Sequence, residues 1–261
     1  MRCLFCKMDS SDSRSVEHIV PESLWNTKHI LPKGIVCDGC NNYFAREVEK
    51  PFLDSPSITT LRFTQVIPNK RGRIPPIQAL LMPGFPAVAY RTTSDPYQLS
   101  LDVPLAALDH IANNITGTLL LPTSGLPPSD RVVSRFLAKM ALEAMALKLL
   151  EHPEGLAYLV EETILDPIRK FARRGQPSDW PHHARRIYEA DRELATLDGG
   201  SYQTVHEFDF LVTPQQEWYF IFALFGLELA INIGGPEIDG YIAWLSENND
   251  ASPLYFGKNA Q

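Results

Sequence analysis

The hydrophobic positions of this chain change period twice. Between 130 and 151, Val132, Val133, Phe136, Leu137, Met140, Ala141, Ala144, Met145, Leu147 and Leu149 recur three and four residues apart, which lays them on one broad apolar face. Ser129 and Asp130 offer N-cap chemistry ahead of that run and His152-Pro153 stops it, so the spacing predicts a helix over 130–151. Two further stretches, 155–174 and 181–197, read as helices parted by the breaker 175–178. Upstream, 62–104 is punctuated by proline and partly alternating, as in Ala79-Leu80-Leu81-Met82 and Ala87-Val88-Ala89-Tyr90, which predicts short strands. Downstream, 205–213, 217–225 and 227–234 are rich in aromatic and β-branched residues and are divided by Pro214-Gln215-Gln216 and Gly226, the pattern of an antiparallel meander. Its aromatics Trp218, Tyr219, Phe220, Phe222 and Phe225 have no basic residues between them, so they are expected in a sheet core and not on a base-stacking platform. Helices over about 130–197 followed by a meander over about 203–234 make 55–261 an α+β domain.

Composition narrows the class. An apolar fraction of 44% and a charged fraction of 21% are ordinary for a soluble protein, and 261 residues suffice for a small metal-dependent module plus a domain with its own core. No apolar stretch follows a basic start, and the longest apolar run, 218–227, is short and broken by Gly226, so neither a secretory leader nor a membrane partner is expected. The Asn114-Ile115-Thr116 sequon then has no glycosylating compartment to act in. The net charge of −7 is unevenly spread: −1 over 1–54, +4 over 55–186 and −10 over 187–261. Acidity thus belongs to the tail, and the overall sign does not exclude a polyanionic substrate. Lys70, Arg71 and Arg73 form a basic loop expected to contact nucleic acid. Arg169-Lys170, Arg173-Arg174 and Arg185-Arg186 read equally as a solvated face or a phosphate-contacting stripe.

The candidate chemistry sits at the start. Cys3-x2-Cys6 and Cys37-x2-Cys40 account for all four cysteines, leaving none for disulfides, and such paired knuckles fit one closed tetrahedral Zn²⁺ of structural type. Thiolates free to ligate metal suit a reducing compartment, hence a cytoplasmic protein. A redox pair fits less well, since neither knuckle has a strand-to-helix context. From the cysteines alone, a non-catalytic zinc-finger module that binds nucleic acid or protein explains the pattern as well as an enzyme does. Between the knuckles lies Glu17-His18-Ile19-Val20-Pro21, and directly after the second comes Asn41-Asn42.

Together, Cys3, Cys6, the Glu17 to Pro21 run, Cys37, Cys40 and Asn41 resemble the HNH (ββα-metal) endonucleases, in particular their zinc-stapled branch. The resemblance spans about 1–54 and implies a ββα-metal nuclease module there, followed by the α+β domain of recognition, regulation or self-association over 55–261. It implies a phosphodiester hydrolase acting on nucleic acid, DNA before RNA, with His18 as general base and Glu17 and Asn41 holding a catalytic Mg²⁺ or Mn²⁺. The chemistry is consistent with those types: a neutral imidazole takes a proton from water near neutral pH, and a carboxylate and an amide oxygen suit a hard cation. Glu17 and His18 are adjacent on a strand, so pairing them on one site requires a bend or bulge. Glu17 stands where Asp is commoner in the family. The family's middle asparagine is replaced by Pro32-Lys33-Gly34-Ile35-Val36, and Asn26 is the nearest upstream amide. Asn41 is also a good helix N-cap, Asn42 a second possible ligand, Glu47 and Glu49 surface charges or outer-shell partners, and His29 a loop residue within reach of phosphate. No cysteine links 55–261 to the zinc, so that part is expected to fold without it and to offer any homo-oligomer contact.

Overall fold

The computed structural model describes residues 1–258 apart from 96, 115, 116, 126, 177, 178 and 197, with 258 described by its backbone alone. Two sequon residues, two residues of the breaker 175–178 and the end of the expected helix 181–197 lie outside the described residues.

The first elements are short: β1 (Glu17–His18), β2 (Ile30–Leu31), α1 (Asp38–Phe44), a π-helical stretch Ala45–Glu49 and α2 (Lys50–Leu53). β1 pairs antiparallel with β2, so two strands and a helix follow one another as the ββα order requires. Next come α3 (Pro56–Thr64), β3 (Ile77–Leu81), β4 (Phe85–Tyr90), β5 (Ser100–Asp102), α4 (Leu105–Ala112) and β6 (Leu119–Leu120). The four strands form an antiparallel sheet in the order β5-β4-β3-β6. The remainder holds α5 (Asp130–Lys148), α6 (Pro153–Glu161), α7 (Asp166–Arg174), β7 (His182–Arg186), β8 (Glu193–Ala195), β9 (Ser201–Gln203), β10 (His206–Val212), β11 (Trp218–Leu224), β12 (Leu227–Asn232), α8 (Asp239–Glu247) and α9 (Tyr255–Lys258). The fold is α+β with antiparallel sheets, and an N-terminal cysteine cluster precedes them.

These elements make two compact units. One comprises Met1–Pro21, Asn26–Pro51 and Ser129–Gln261; the other comprises Glu22–Trp25 and Phe52–Pro128. The zinc-knuckle segment therefore shares a unit with α5 through α9, and the chain does not divide at residue 54.

The smaller unit packs Phe63 of α3 with Ile74, Ile77 and Ala89 beneath its sheet. In the larger unit the sheet order is β10-β11-β12-β7. β11 is buried on both faces. Tyr219, Ile221 and Ala223 meet Tyr241 and Leu245 of α8, while α5 packs on the opposite face, where Phe136 and Phe222 approach edge to face at 6.2 Å. The aromatics thus lie in the sheet core as expected, except Trp218, which is 47% exposed. The β11–β12 turn puts Phe225 and Gly226 at φ of 46° and 75°, and a Cβ on Gly226 would run into the Tyr188 carbonyl.

Two expected helices come out differently. The run 155–174 is two helices, α6 and α7, separated by a 3₁₀ turn, because Pro167 can open α7 but cannot continue α6. The run 181–197 is not helical: His182–Arg186 is β7, hydrogen-bonded along the outer edge of β12, and Glu193–Ala195 is β8. An apolar β12 needs a neighbour on that edge, and this tertiary demand outweighs the weak helical pattern.

Candidate functional site

Both knuckles are built by backbone geometry. In the first, Lys7 adopts a left-handed φ of 58°, which lets Lys7 N donate to Cys3 O at 2.9 Å and Cys3 N to Met8 O at 2.8 Å. In the second, Cys37 caps α1, its Sγ accepting from Cys40 N at 3.4 Å, while Cys37 N donates to Cys3 Sγ at 3.3 Å. Gly34, at φ of 92°, delivers the chain to this cap, and its carbonyl accepts from Ser10 Oγ at 2.5 Å. All four sulfurs lie within 4.8 Å of one another, with Cys6 and Cys37 at 3.7 Å. A tetrahedral Zn²⁺ with bonds of about 2.3 Å needs sulfurs about 3.8 Å apart, so the cluster has the size and donor set of a zinc site. The cluster favours thiolate at one position: the Cys3 pKa is lowered to about 4, chiefly by the hydrogen bond from Cys40, whereas Cys40 is raised by that same bond and by burial, and Cys6 is raised by burial.

The strand that carries Glu17 and His18 is regular, in register with β2 as Glu17 to Leu31 and His18 to Ile30. Without a bulge the alternation holds. Glu17 turns inward, 5% exposed, and its carboxylate meets Lys139 Nζ at 2.7 Å; His18 is half-buried toward the other face. Lys139 is fully buried in α5 and also meets Glu49 at 2.6 Å, Glu143 at 3.0 Å and the His18 carbonyl at 3.1 Å. Burial pushes the Lys139 pKa down, but the surrounding carboxylates more than reverse it, and it ends well above the usual lysine value. For the fully buried Glu143, burial prevails over Lys139, and its pKa is raised well above the carboxylate range. Glu17 is therefore an internal ion-pair partner of Lys139, on the strand face opposite His18.

Asn41, in the first turns of α1, donates Nδ2 to Val16 O at 2.9 Å and so clasps the helix to the strand carrying His18. The cap position belongs to Cys37 and not to Asn41. Asp38 makes a parallel clasp, accepting from Ser15 N at 2.9 Å and from Ser15 Oγ, bonds that lower its pKa. Asn26, the amide nearest upstream of the stretch 32–36, is engaged by the loop between β1 and β2. Fully internal, it donates to Val20 O at 2.7 Å and His29 O at 2.9 Å and accepts from His29 N at 2.8 Å, so one side chain fixes the loop between β1 and β2. His29 is half-buried, edge-on to Phe208 at 4.8 Å, with its pKa lowered by burial and by Lys28. Asn42 and Glu47 are exposed, and Glu47 pairs with Arg46.

Residues 3–57 match the HNH endonuclease family. The matched residues take in both knuckles, β1, β2 and α1, and an HNH endonuclease domain supports a nuclease function and a nucleic-acid substrate. Neither a curated protein nor a solved structure matches the chain. No helix among the described residues is long and apolar enough to cross a membrane.

Lys70, Arg71 and Arg73 lie in the smaller unit, where Lys70 pairs with Glu22 at 3.4 Å and Asn69 Oδ1 accepts from the backbone of Arg71 and Arg73. Sequence reasoning missed Lys139 and Glu143. Their signal was present as an i, i+4 cation–carboxylate pair set among the apolar positions of α5, where a solvent-facing pair would not sit.

Proposed function

We propose that this protein is a metal-dependent endonuclease that hydrolyses phosphodiester bonds in DNA, with His18 as the general base. The observation that carries the reading is the clasp of α1 onto β1 within the matched segment: Asn41 binds Val16 O while Lys139 binds His18 O, which fixes the backbone on both sides of the histidine. A neutral imidazole so held takes a proton from water as the water oxygen bonds to phosphorus and the bond from phosphorus to the leaving sugar oxygen breaks. A bound Mg²⁺ or Mn²⁺ supplies charge stabilisation to the phosphoryl and leaving oxygens. In this reading Asn41 contributes an oxygen donor to the ion, since its Nδ2 is the atom committed to Val16. Glu17 acts by positioning: its ion pair with Lys139 holds β1 against α5. The zinc is structural, because a closed S₄ site leaves no position for substrate.

The deciding experiment is plasmid nicking by the purified protein across a panel of divalent ions, alongside His18→Ala. The wild type should nick with Mg²⁺ or Mn²⁺, and His18→Ala should cut about 10² to 10⁴-fold more slowly with unchanged zinc content. Equal rates would remove His18 as the base. The ion pair that engages Glu17 favours a second reading, a zinc-stapled binding module without catalysis, and a wild type that binds DNA but cuts with none of the ions would establish it.

A further inference from the structure

The basic stripe suggested by the sequence is divided by the fold into parts with different duties. Arg185 pairs with Glu228 at 2.5 Å and Arg186 donates to Phe225 O at 2.6 Å, so both serve the sheet. Arg169 is buried in α7, donating to Leu4 O at 3.0 Å, Glu162 O at 2.7 Å and Asp166 at 2.7 Å. Lys170 and Arg174 are exposed and Arg173 half-buried; among the described residues, no carboxylate pairs with any of the three. They flank an open groove of about 310 Å³ that Phe5, Cys6 and Lys7 of the first zinc knuckle and Asp166 and Arg169 of α7 also line.

The carbonyl end of a helix carries negative potential and would repel a phosphate. Here that end is covered by cations. Arg135 of α5 donates to Ala172 O at 3.1 Å and Arg173 O at 3.0 Å, and Arg131 reaches Arg174 O at 3.4 Å. Tyr43 of α1 also donates to Arg173 O, tying this helix end to the zinc segment. Lys7, paired with Asp166 at 2.6 Å, adds charge on the knuckle side. The result is a cation-rich groove in a unit whose last 75 residues are strongly acidic.

We infer that the groove between the first zinc knuckle and α7, edged by Lys170, Arg173 and Arg174, is a docking surface for the phosphate backbone of duplex DNA. It lies outside the family-matched residues except for the knuckle itself, and in that respect it rests on the nuclease reading only for the identity of the polyanion. Lys170, Arg173 and Arg174 are spaced along one helix and, among the described residues, have no carboxylate partner, while Asp166 is taken up by Lys7 and Arg169; Lys70 of the other basic loop already has Glu22. The rival role for these cations is to balance the net −2 of a zinc tetrathiolate.

The test measures binding of a short DNA duplex to the zinc-loaded full chain by fluorescence anisotropy, without Mg²⁺ or Mn²⁺, over a series of salt concentrations. Lys170→Ala/Arg173→Ala/Arg174→Ala should weaken binding by about tenfold or more and lower the salt slope by about 2 to 3, since each lost phosphate contact removes about 0.9. Arg173→Lys/Arg174→Lys should stay near wild type, because charge is kept. Should the triple variant fail to fold, Arg174→Ala alone should lower the slope by about 1. Unchanged affinity and slope would overturn the inference, as would loss of zinc with the slope unchanged, a wild type that does not bind DNA, or tighter binding of an RNA duplex. A wild type that binds as expected but never nicks would leave this surface standing and remove the nuclease reading; nicking by a triple variant that binds like wild type would do the reverse.

Discussion

Lys139 holds the segment that carries Glu17 and His18 in place through one ammonium group. Its Nζ meets the carboxyl groups of Glu17, Glu49 and Glu143 and the His18 carbonyl with no exposure to solvent. Removing one partner from a buried ion cluster leaves uncompensated charge, which costs about 3–5 kcal/mol. Lys139→Met should therefore destabilise the larger unit by about that amount, measured by urea unfolding. Glu143→Gln should behave differently, since burial already favours its neutral form. A carboxyl whose folded-state pKa is raised contributes stability that is full below its unfolded value, near 4.5, and lost as pH rises through the folded one. Glutamine has no proton to lose, so the melting temperature of Glu143→Gln relative to wild type should climb with pH above about 5. A relative melting temperature that falls with pH would mean that Glu143 works as a carboxylate. At this scale the sequence showed the donors of the zinc site, because cysteine spacing is local. It did not show that Asn26 fixes the β1–β2 loop, since the four groups it binds are brought together only by the loop's own fold.

At the scale of elements, α5 and the meander were legible because each carries its own period over many residues. β7 was not: its five residues take their structure from hydrogen bonds to β12, more than 40 positions away in sequence. The same non-local logic changes what the zinc stabilises. α5 packs on β2 and on the π-helical stretch, and Arg169 of α7 donates to Leu4 O within the first knuckle. Cys37→Ser should thus release the zinc and, beyond loosening 1–54, make α5 and α7 sensitive to protease. Persistence of an undigested 130–261 fragment would show that these helices need no knuckle. A chain beginning at Ser55, expected from sequence to fold alone, should instead be molten or aggregate, as it leaves Lys139 and Glu143 buried without Glu17 and Glu49 and deprives Arg169 of an acceptor. Cooperative unfolding by that fragment would contradict this account.

For the whole molecule, the smaller unit enters the chain as an insertion that begins within α2 and ends before α5, with only Glu22–Trp25 contributed from the zinc segment. A protein in which 52–128 is replaced by a flexible Gly/Ser linker of about 10 residues, with a root-mean-square reach of roughly 17 Å, should keep one zinc per chain and unfold cooperatively. Loss of zinc from that protein would make the two units interdependent.

Which cysteines cluster into the zinc site, and where the longest helix and the meander run, were determined by the sequence itself, since each is written in spacings of a few residues. That Glu17 turns inward to Lys139, that Asn26 fixes the loop and that the basic stripe is reduced to Lys170, Arg173 and Arg174 were decided by tertiary structure. The physical reason is burial: a charged or amide side chain takes the partners that the fold brings within hydrogen-bonding distance, and those partners come from strands and helices up to about 165 residues apart in the chain.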